Sequence, residues 1–532
     1  MVIVKRRQAG RWSIRADEDL AQKAYRDGLW VKTTLADSLM AAASQTPDRD
    51  LLVDGDISLT ASQLFASAQS LAASMQARMA PGSVISFMLP NWHEAAVIYH
   101  AATIAGMVAN PILPSLRDHD LRFILADAGT RMIFVPDQFR GYDYADMLRR
   151  VVPGMDAPPE VVVVRGFAGE LTEYASLFGE DAPPVSSTVS PDDVRMLMYT
   201  SGTTGRPKGV LHSHNTLHAL LRQIGQHWLV EPGDSFLVPS PISHIGGSIY
   251  AFEAPLLLGS RAVLMDKWDP GEAVPIMLAE RITHMAGATP FLQQLLDAAR
   301  AAESRLPDLK VFICGGASVP PSLITEACNY FEKARVSRVY GSTEVPVTTV
   351  GSLTEHGMAE AADTDGRPGI ARVILGEANE IRAHGPQMLA GYLHVEDEAA
   401  AFDEQGFYRT GDQGEFTATG HLVVTGRIKD LIIRNGENIA PKEIEDLLVN
   451  HPDIAEIAIV GIADPRTGEK ACAVIVPREG KEPTVSDLAN FLSGFGVAKF
   501  KYPERVELRD VLPKNEAGKV LKHLLRDELS SA

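Results

Sequence analysis

The stretch MLMYTSGTTGRPKGV, residues 196–210, runs from an apolar strand into a loop dense in glycine, serine and threonine. Glycines let backbone amides turn towards an anion, while the hydroxyl groups and a lysine add further donors. The pattern favours a polyphosphate ligand, although no Gly-Lys-Ser/Thr follows at the spacing of a P-loop. A glycine-rich surface turn is the alternative, and the length of the run 199–209 argues against it. The candidate phosphate contacts are Thr200, Ser201, Gly202, Thr203, Thr204 and Lys208.

Apolar, β-rich runs recur on both sides of this loop and alternate with segments rich in Ala and Leu. SVISFMLP (83–90) and LKVFICGG (309–316) are typical of strands, whereas HEAAVIYHAATIAGM (93–107) is typical of a buried helix. This alternation predicts an α/β fold with doubly covered, largely parallel sheets. Beyond about residue 425 shorter signals indicate a small α+β unit of about 100 residues. We therefore expect an N-terminal domain, 1–428, and a C-terminal domain, 429–532.

The composition argues against several classes of partner and location. The 532 residues carry a net charge of −18, which argues against a nucleic-acid partner. The most apolar stretch, 95–111, is short and interrupted, so we expect no integral membrane association. The N-terminus lacks the apolar region of a signal peptide, and Cys314, Cys328 and Cys472 fit no zinc-ligand spacing. We expect a cytoplasmic protein whose cysteines are small buried apolar residues.

The run YTSGTTGRPKG resembles the signature of the adenylate-forming superfamily, which includes acyl-CoA synthetases, peptide-synthetase adenylation domains and beetle luciferases. The later motifs follow in the family's order, and the resemblance covers nearly the whole chain. It implies an AMP-binding domain followed by a mobile C-terminal lid. The motifs are CGGASVP (314–320), VYGSTEV (339–345), YRTGDQGEF (408–416), GRIKD (426–430) and LPKNEAGKVLK (512–522).

The resemblance implies a nucleotide site shared by several motifs. Tyr340 would stack on adenine, Asp412 would accept hydrogen bonds from the ribose hydroxyls, and Arg427 would approach ribose and phosphates. Beyond the phosphate loop, the implied ATP contacts are Gly316, Ala317, Tyr340, Gly341, Ser342, Asp412 and Arg427.

The resemblance also implies the catalytic groups. Thr343 would contact the α-phosphate or the acyl oxygen, and Glu344 would hold Mg²⁺, which prefers oxygen ligands. Lys519 would bridge the carboxylate and α-phosphate oxygens as negative charge develops. His244 would lie beside the acyl carboxylate, and Lys429 corresponds to the hinge about which the lid turns.

The implied acyl pocket is lined mostly by small or apolar residues, which favours a hydrophobic acid. Medium-chain fatty, alicyclic and arylalkanoic acids all remain open. The lining residues are His244, Gly246, Gly247, Gly287, Gly315 and Val345.

The expected activity is an AMP-forming ligase of fatty acid metabolism, using ATP, Mg²⁺ and coenzyme A. CoA is the expected acceptor because no carrier domain follows Lys519. Gly436, Lys499 and Lys501 are its implied contacts, although Tyr502 and Glu504 stand where relatives often carry basic residues. A homodimer is left open.

Three other functions are alternatives to the ligase. An adenylation enzyme loading a separate carrier protein is the first, but the segment 241–250 lacks the Asp that would bind an α-amino group. No feature supports a luciferase-like oxygenase. A non-catalytic nucleotide sensor would be expected to have lost Lys519 or Glu344.

A metal site at His212, His214 and His218 ranks below surface or capping roles for these histidines.

Overall fold

The computed structural model describes residues 5–179, 185, 187–201, 206–316, 319–354, 357–435, 437–515 and 518–530, without the side chain of Ser201. Two large sheets and a smaller antiparallel sheet form the N-terminal part, and a further sheet forms the C-terminal part. The predicted phosphate loop lies at one side of the first large sheet.

The first sheet has eight strands, of which the first six are parallel and the last two antiparallel. Its apolar strands are buried on both faces, as parallel sheets require. The spatial order is Thr172–Glu173, Glu160–Val163, Thr130–Val135, Val84–Phe87, Val108–Pro111, Val194–Ser201, Pro207–Ser213 and Gly391–Tyr392.

The second sheet has seven strands, and all but the last are parallel. The order is Arg335–Val339, Val311–Gly315, His284–Gly287, Ser235–Val238, Arg261–Leu264, Asp50–Asp54 and Ile57–Thr60.

Helices cover the sheets and join them through one core. The helix His93–Ile104 is buried at every residue from Glu94 onward, and its side chains share a core with strands of both sheets. This confirms the buried helix expected from 93–107. The helices of the N-terminal part are Glu18–Arg26, Leu35–Gln45, Ala61–Arg78, His93–Ile104, Asp118–Ala128, Tyr144–Val151, His214–His227, Ile245–Ser248, Ala254–Leu257, Pro270–Ala279, Thr289–Ala301, Pro321–Tyr330 and Met358–Asp363.

A third sheet was not expected from the sequence. Its four antiparallel strands are Arg372–Leu375, Glu380–His384, Tyr408–Phe416 and Leu422–Arg427. These strands mix charged and apolar residues, so they lack the continuous apolar runs that reveal parallel strands. Small two-stranded ribbons at Arg6–Ala9 with Trp12–Arg15, and at Gln138–Phe139 with Tyr142–Asp143, complete the N-terminal part.

The C-terminal part is an α+β unit with its own core. Leu422–Arg427 ends in a short 3₁₀ turn, Ile428–Asp430, and the strands of the C-terminal sheet begin just after it. The predicted boundary after residue 428 falls at this turn and remains a prediction. The elements are the strands Ile432–Arg434, Glu437–Ile439, Ile454–Asp464, Gly468–Pro477 and Arg505–Leu508, and the helices Pro441–Leu448, Val485–Ser493 and Lys522–Ser530.

The three cysteines are buried or partly buried, as expected. Cys314 and Cys472 are buried, and Cys328 is partly buried. Burial raises the pKa of the Cys314 thiol to about 12, so it stays protonated and behaves as a small apolar residue. Among the described residues, none of the helices is both long and apolar enough to cross a bilayer.

Candidate active site

The carboxyl ends of adjacent parallel strands bring several predicted residues to one edge of the second sheet. Gly287 lies opposite Cys314 in the register, and Gly315 lies opposite Val339. A side chain at Gly315 would lie 2.9 Å from the Val339 carbonyl oxygen, so only glycine fits this approach. The edge of an open α/β sheet at the carboxyl ends of its strands is where ligands bind.

Tyr340, which directly follows the strand ending at Val339, joins Asp412 and Arg427 in one polar group. The Tyr340 hydroxyl donates to Asp412 Oδ2 over 2.7 Å, and Arg427 Nε lies 3.1 Å from Asp412 Oδ1. Asp412 and Arg427 face each other across antiparallel strands of the third sheet. The structure therefore brings together the three side chains predicted to surround the adenosine.

The predicted phosphate loop connects two antiparallel strands, Val194–Ser201 and Pro207–Ser213, in which Thr200 pairs with Lys208. Gly202, Thr203 and Thr204 lie outside the described residues, as does the Ser201 side chain.

Asp397 pairs with the cations at the loop end of this hairpin. Arg206 Nη2 donates to both Asp397 oxygens, at 3.0 and 2.9 Å, and Lys208 Nζ lies 3.6 Å from Oδ1. The positive charge of the loop is thus fixed in place by a neighbouring acid.

Glu344 is a buried carboxylate beside the hairpin, with 8% of its surface exposed. Its Oε1 accepts from the Tyr392 hydroxyl at 3.0 Å and from Thr200 Oγ1 at 3.5 Å. Mg²⁺ binds hard oxygen donors, usually one or two carboxylates with substrate phosphates. A single buried carboxylate with a threonine hydroxyl next to a phosphate loop fits that donor set.

The motif between Tyr340 and Glu344 has further predicted contacts. Gly341 is held tightly, because a side chain there would lie 2.6 Å from the backbone nitrogen of Val347. Ser342 Oγ accepts from the Val345 backbone N–H at 3.2 Å. These contacts fix the backbone on both sides of Thr343.

Lys519 belongs to a loop of the C-terminal part that packs against the N-terminal part. A side chain at Gly518 would lie 3.0 Å from Pro290, so this loop touches the helix that follows Gly287. Burial, and next the positive charge of Arg427, lower the pKa of Lys519 to about 8; Asp412 opposes them. Lys519 therefore shares its surroundings with the residues predicted to bind the ribose.

The predicted hinge residue Lys429 lies in the 3₁₀ turn Ile428–Asp430. The neighbouring Asp430 is ion-paired with Arg526 of the last helix, at 2.7 Å. This pair ties the turn to the end of the C-terminal part.

The structure gives less support to the predicted CoA contacts. Gly436 lies outside the described residues, as does the predicted adenine contact Ala317. Lys499 and Lys501 share a 3₁₀ turn, but Lys501 Nζ lies 2.7 Å from both oxygens of Glu443. Lys501 is therefore already paired with an acid in this arrangement.

His244 begins the wall of the predicted acyl pocket. Its Nε2 is buried and has no hydrogen-bond partner in the described part of the chain, and burial lowers the pKa of the imidazole. His244 is thus neutral at physiological pH. Gly247 packs against the Pro241 carbonyl, where a side chain would collide at 2.2 Å, whereas Gly246 faces open space and Val345 is buried.

The prediction that His212, His214 and His218 have surface roles is wrong. His212 and His214 are buried and His218 is partly buried, because they line the end of a core strand and the first turns of a core helix. His212 Nε2 donates to the Thr343 carbonyl at 2.8 Å, and burial lowers the pKa of His212 to about 4. His212 therefore supports the Thr343 backbone as a neutral donor.

One group of potential metal ligands occurs elsewhere in the described ranges, at Asp54, His93 and Glu94. The Arg165 guanidinium donates to Asp54 at 2.9 Å and to both Glu94 oxygens at 2.7 Å. An arginine already occupies the position of a cation, so this group is an ion-pair cluster.

Sequence reasoning missed Tyr392, Asp397 and Tyr408. Each contacts a predicted site residue or its neighbour. They reach the site because Gly391–Tyr392 pairs with Pro207–Ser213 and because Tyr408 belongs to the third sheet. The signal that could have identified them is the order of the strands, which a single sequence does not state.

Two family models and many known proteins match this chain. The sequence model of the AMP-binding enzyme family matches residues 39–393, and that of the AMP-binding enzyme C-terminal domain matches residues 443–519. The chain is 33% identical over 525 residues to a medium-chain fatty-acid–CoA ligase of Escherichia coli (strain K12), covering 95% of this chain and 92% of the relative.

Two further relatives show the range of the likeness. The chain is 29% identical over 539 residues to a 2,3-dihydroxybenzoate-AMP ligase of Bacillus subtilis (strain 168), covering 96% of this chain and 97% of that one. The crystal structure of ATP-bound MatB from Rhodopseudomonas palustris gives a TM-score of 0.84 at 26% identity, covering 94% of this chain and 99% of MatB. These matches confirm the predicted α/β fold with a separate C-terminal domain.

Proposed function

The chain belongs to the adenylate-forming superfamily of AMP-binding enzymes, in its acyl-CoA synthetase branch, and from this membership we propose that it joins a hydrophobic carboxylic acid to coenzyme A. AMP-forming activation of a carboxylic acid is the chemistry of the family. The observation that carries the proposal is that the Lys519 loop of one part of the chain packs on Pro290 of the other, which puts Lys519 within electrostatic range of Arg427 and Asp412.

In the first half-reaction the substrate carboxylate attacks the α-phosphorus of ATP, and pyrophosphate leaves. Such transfers depend on positioning and on stabilising developing charge. Lys208 would hold the outer phosphates, and Lys519 would neutralise the oxygens of the reacting carboxylate and α-phosphate. Glu344 and Thr200 would hold Mg²⁺, whose charge offsets that of the departing pyrophosphate.

In the second half-reaction the CoA thiol attacks the acyl carbonyl carbon, and AMP leaves. The C-terminal domain, 429–532, would first turn about Lys429, which withdraws Lys519 and admits the thiol. The ion pair of Asp430 with Arg526 keeps the far side of this turn attached to the last helix. Hinges are short segments that absorb backbone rotation while the flanking units stay rigid.

The proposed acid is medium-chain, alicyclic or arylalkanoic. His244 is neutral, and the segment 241–250 carries no acidic side chain to bind an amino group. The E. coli relative acts on medium-chain fatty acids by its name. An uncharged wall gives no compensation for burying a second charge of the substrate.

A screen of acids tests this function. AMP release and thioester formation with CoA should favour octanoate over butyrate by about two orders of magnitude in kcat/KM, because four buried methylenes contribute about 0.8 kcal/mol each. Cyclohexanecarboxylate and 3-phenylpropanoate should be used as well. Equal use of butyrate and octanoate, or use of phenylalanine in preference to 3-phenylpropanoate, would contradict the proposed substrate class.

The second candidate is a free-standing enzyme that loads a separate carrier protein. The B. subtilis relative is named an AMP ligase, and Lys501 is neutralised by Glu443 rather than open to a phosphate. Pyrophosphate exchange without CoA should occur for either function. Thioester formation with free CoA supports the ligase, whereas turnover only with an added carrier protein supports the loader.

Lys519 makes adenylate formation dependent on pH. A lysine is charged below its pKa, so a pKa of about 8 predicts that kcat/KM for ATP falls as pH rises through 8, by about tenfold per unit above it. Pyrophosphate exchange measured from pH 6.5 to 9.5 checks this. The Lys519→Arg variant is the control, because its guanidinium stays charged and should remove the decline. A flat wild-type profile up to pH 9.5 would contradict the role of Lys519.

A further inference from the structure

Tyr392 lies in a short edge strand next to the phosphate hairpin, which is formed by the strands Val194–Ser201 and Pro207–Ser213. Gly391–Tyr392 pairs with Pro207–Ser213, and the Tyr392 backbone N–H donates to Glu398 Oε1 at 3.1 Å. Glu398 is in turn ion-paired with Arg6 at 2.7 Å. The backbone of Tyr392 is therefore fixed from both sides, which makes its side chain a rigid support.

The Tyr392 hydroxyl is directed at Glu344. It donates to Glu344 Oε1 at 3.0 Å, and the Tyr408 hydroxyl lies 3.4 Å away. One phenol hydroxyl therefore lies directly on a Glu344 oxygen, and a second phenol hydroxyl lies behind it.

We propose that Tyr392 is a positioning residue that orients the Glu344 carboxylate for Mg²⁺, with Tyr408 supporting the arrangement. Mg²⁺ demands near-ideal octahedral geometry, so a carboxylate that rotates freely is a poor ligand. A donor fixed to one oxygen removes that freedom. Groups that hold metal ligands in this way typically change metal affinity by roughly 10- to 100-fold when removed. The inference rests on the proposed function only in taking MgATP as a ligand.

The same ring also contacts the phosphate loop. Lys208 Nζ lies 5.5 Å from the centre of the Tyr392 ring, close enough for a cation–π contact. The variant Tyr392→Phe keeps the ring and this contact, and it removes only the hydroxyl. It therefore separates the support of Glu344 from the support of Lys208.

The experiment is a calorimetric titration of ATP into the full chain at a series of Mg²⁺ concentrations, without acid or CoA. In Tyr392→Phe the Mg²⁺ concentration that half-maximally tightens ATP binding should rise roughly 10- to 100-fold. The affinity for ATP without Mg²⁺ should be unchanged. Tyr408→Phe removes the hydroxyl that lies behind that of Tyr392, and it should raise the required Mg²⁺ concentration by a smaller factor.

Two controls make the result specific. Tyr174→Phe removes the hydroxyl of a partly buried tyrosine whose ring packs against Phe134 and Phe178, and it should leave the Mg²⁺ dependence unchanged. In a Glu344→Gln background, Tyr392→Phe should have no further effect, because the two residues act on the same ion.

Two outcomes would overturn the inference. One is an unchanged Mg²⁺ dependence in folded Tyr392→Phe. The other is an equal loss of ATP affinity with and without Mg²⁺, which indicates a structural role. Because no acid or thiol is present, a failure of the ligase proposal would leave these binding curves intact, and the two failures can be told apart.

Discussion

Lys519→Ala is expected to slow adenylate formation by roughly two to three orders of magnitude, the usual effect of removing one group that stabilises developing negative charge. Lys519 is a cation of the C-terminal part that lies within electrostatic range of Arg427 and Asp412. Thioester formation from supplied acyl-adenylate should fall far less, because the proposed rotation removes Lys519 before the thiol attacks. Pyrophosphate exchange and single-turnover transfer from synthetic acyl-adenylate measure the two steps separately.

Lys514→Ala is the matched control for this variant. Lys514 belongs to the same motif but pairs with Glu456 of the C-terminal part, at 2.7 Å. Its removal should leave both half-reactions within about twofold of the wild type, since an exposed ion pair contributes little. An equal loss in both half-reactions of Lys519→Ala would show that this lysine does not act in adenylation alone.

Much of the fold could be predicted because local sequence carries the signal. The runs at 83–90 and 309–316 contain the strands Val84–Phe87 and Val311–Gly315, as expected, since parallel strands buried on both faces are continuously apolar. The helix His93–Ile104 is buried, as its composition indicated. The family resemblance located Asp412 and Arg427, and the structure places them across one strand pair.

The supporting residues could not be predicted in this way. Tyr392 and Asp397 act on Glu344, Arg206 and Lys208, which are far away in the sequence, and the contacts exist only because Gly391–Tyr392 pairs with the phosphate hairpin. Nothing in the local pattern of residues 391–398 distinguishes them from an ordinary surface turn. The histidine at 212 was misjudged for the same reason: its partner is a backbone carbonyl at residue 343.

The strand that leads into the phosphate loop carries a buried ion pair near its start. Arg195 and Glu253 are each 1% exposed, and Arg195 Nη2 lies 2.6 Å from Glu253 Oε1. Tyr99 completes the group, donating to Glu253 at 2.5 Å and accepting from Arg195 at 2.6 Å. Glu253 ends the π-helical segment Ile249–Glu253, which continues the wall that His244 begins. The pair thus joins the phosphate strand to the predicted acyl wall.

Arg195→Met is expected to lower the free energy of unfolding by roughly 3–5 kcal/mol, because it leaves Glu253 charged and unpaired in the core. Urea unfolding followed by tryptophan fluorescence measures this, since Trp228 lies in the same core as Tyr99. The double variant Arg195→Met/Glu253→Gln should recover most of the loss, because it removes the stranded charge along with its partner. Arg281→Met, which breaks an ion pair whose arginine is 79% exposed, should change stability by less than about 1 kcal/mol. If Arg195→Met and Arg281→Met destabilise equally, the buried pair does not hold the two elements together, and the position of the acyl wall must depend on its apolar contacts alone.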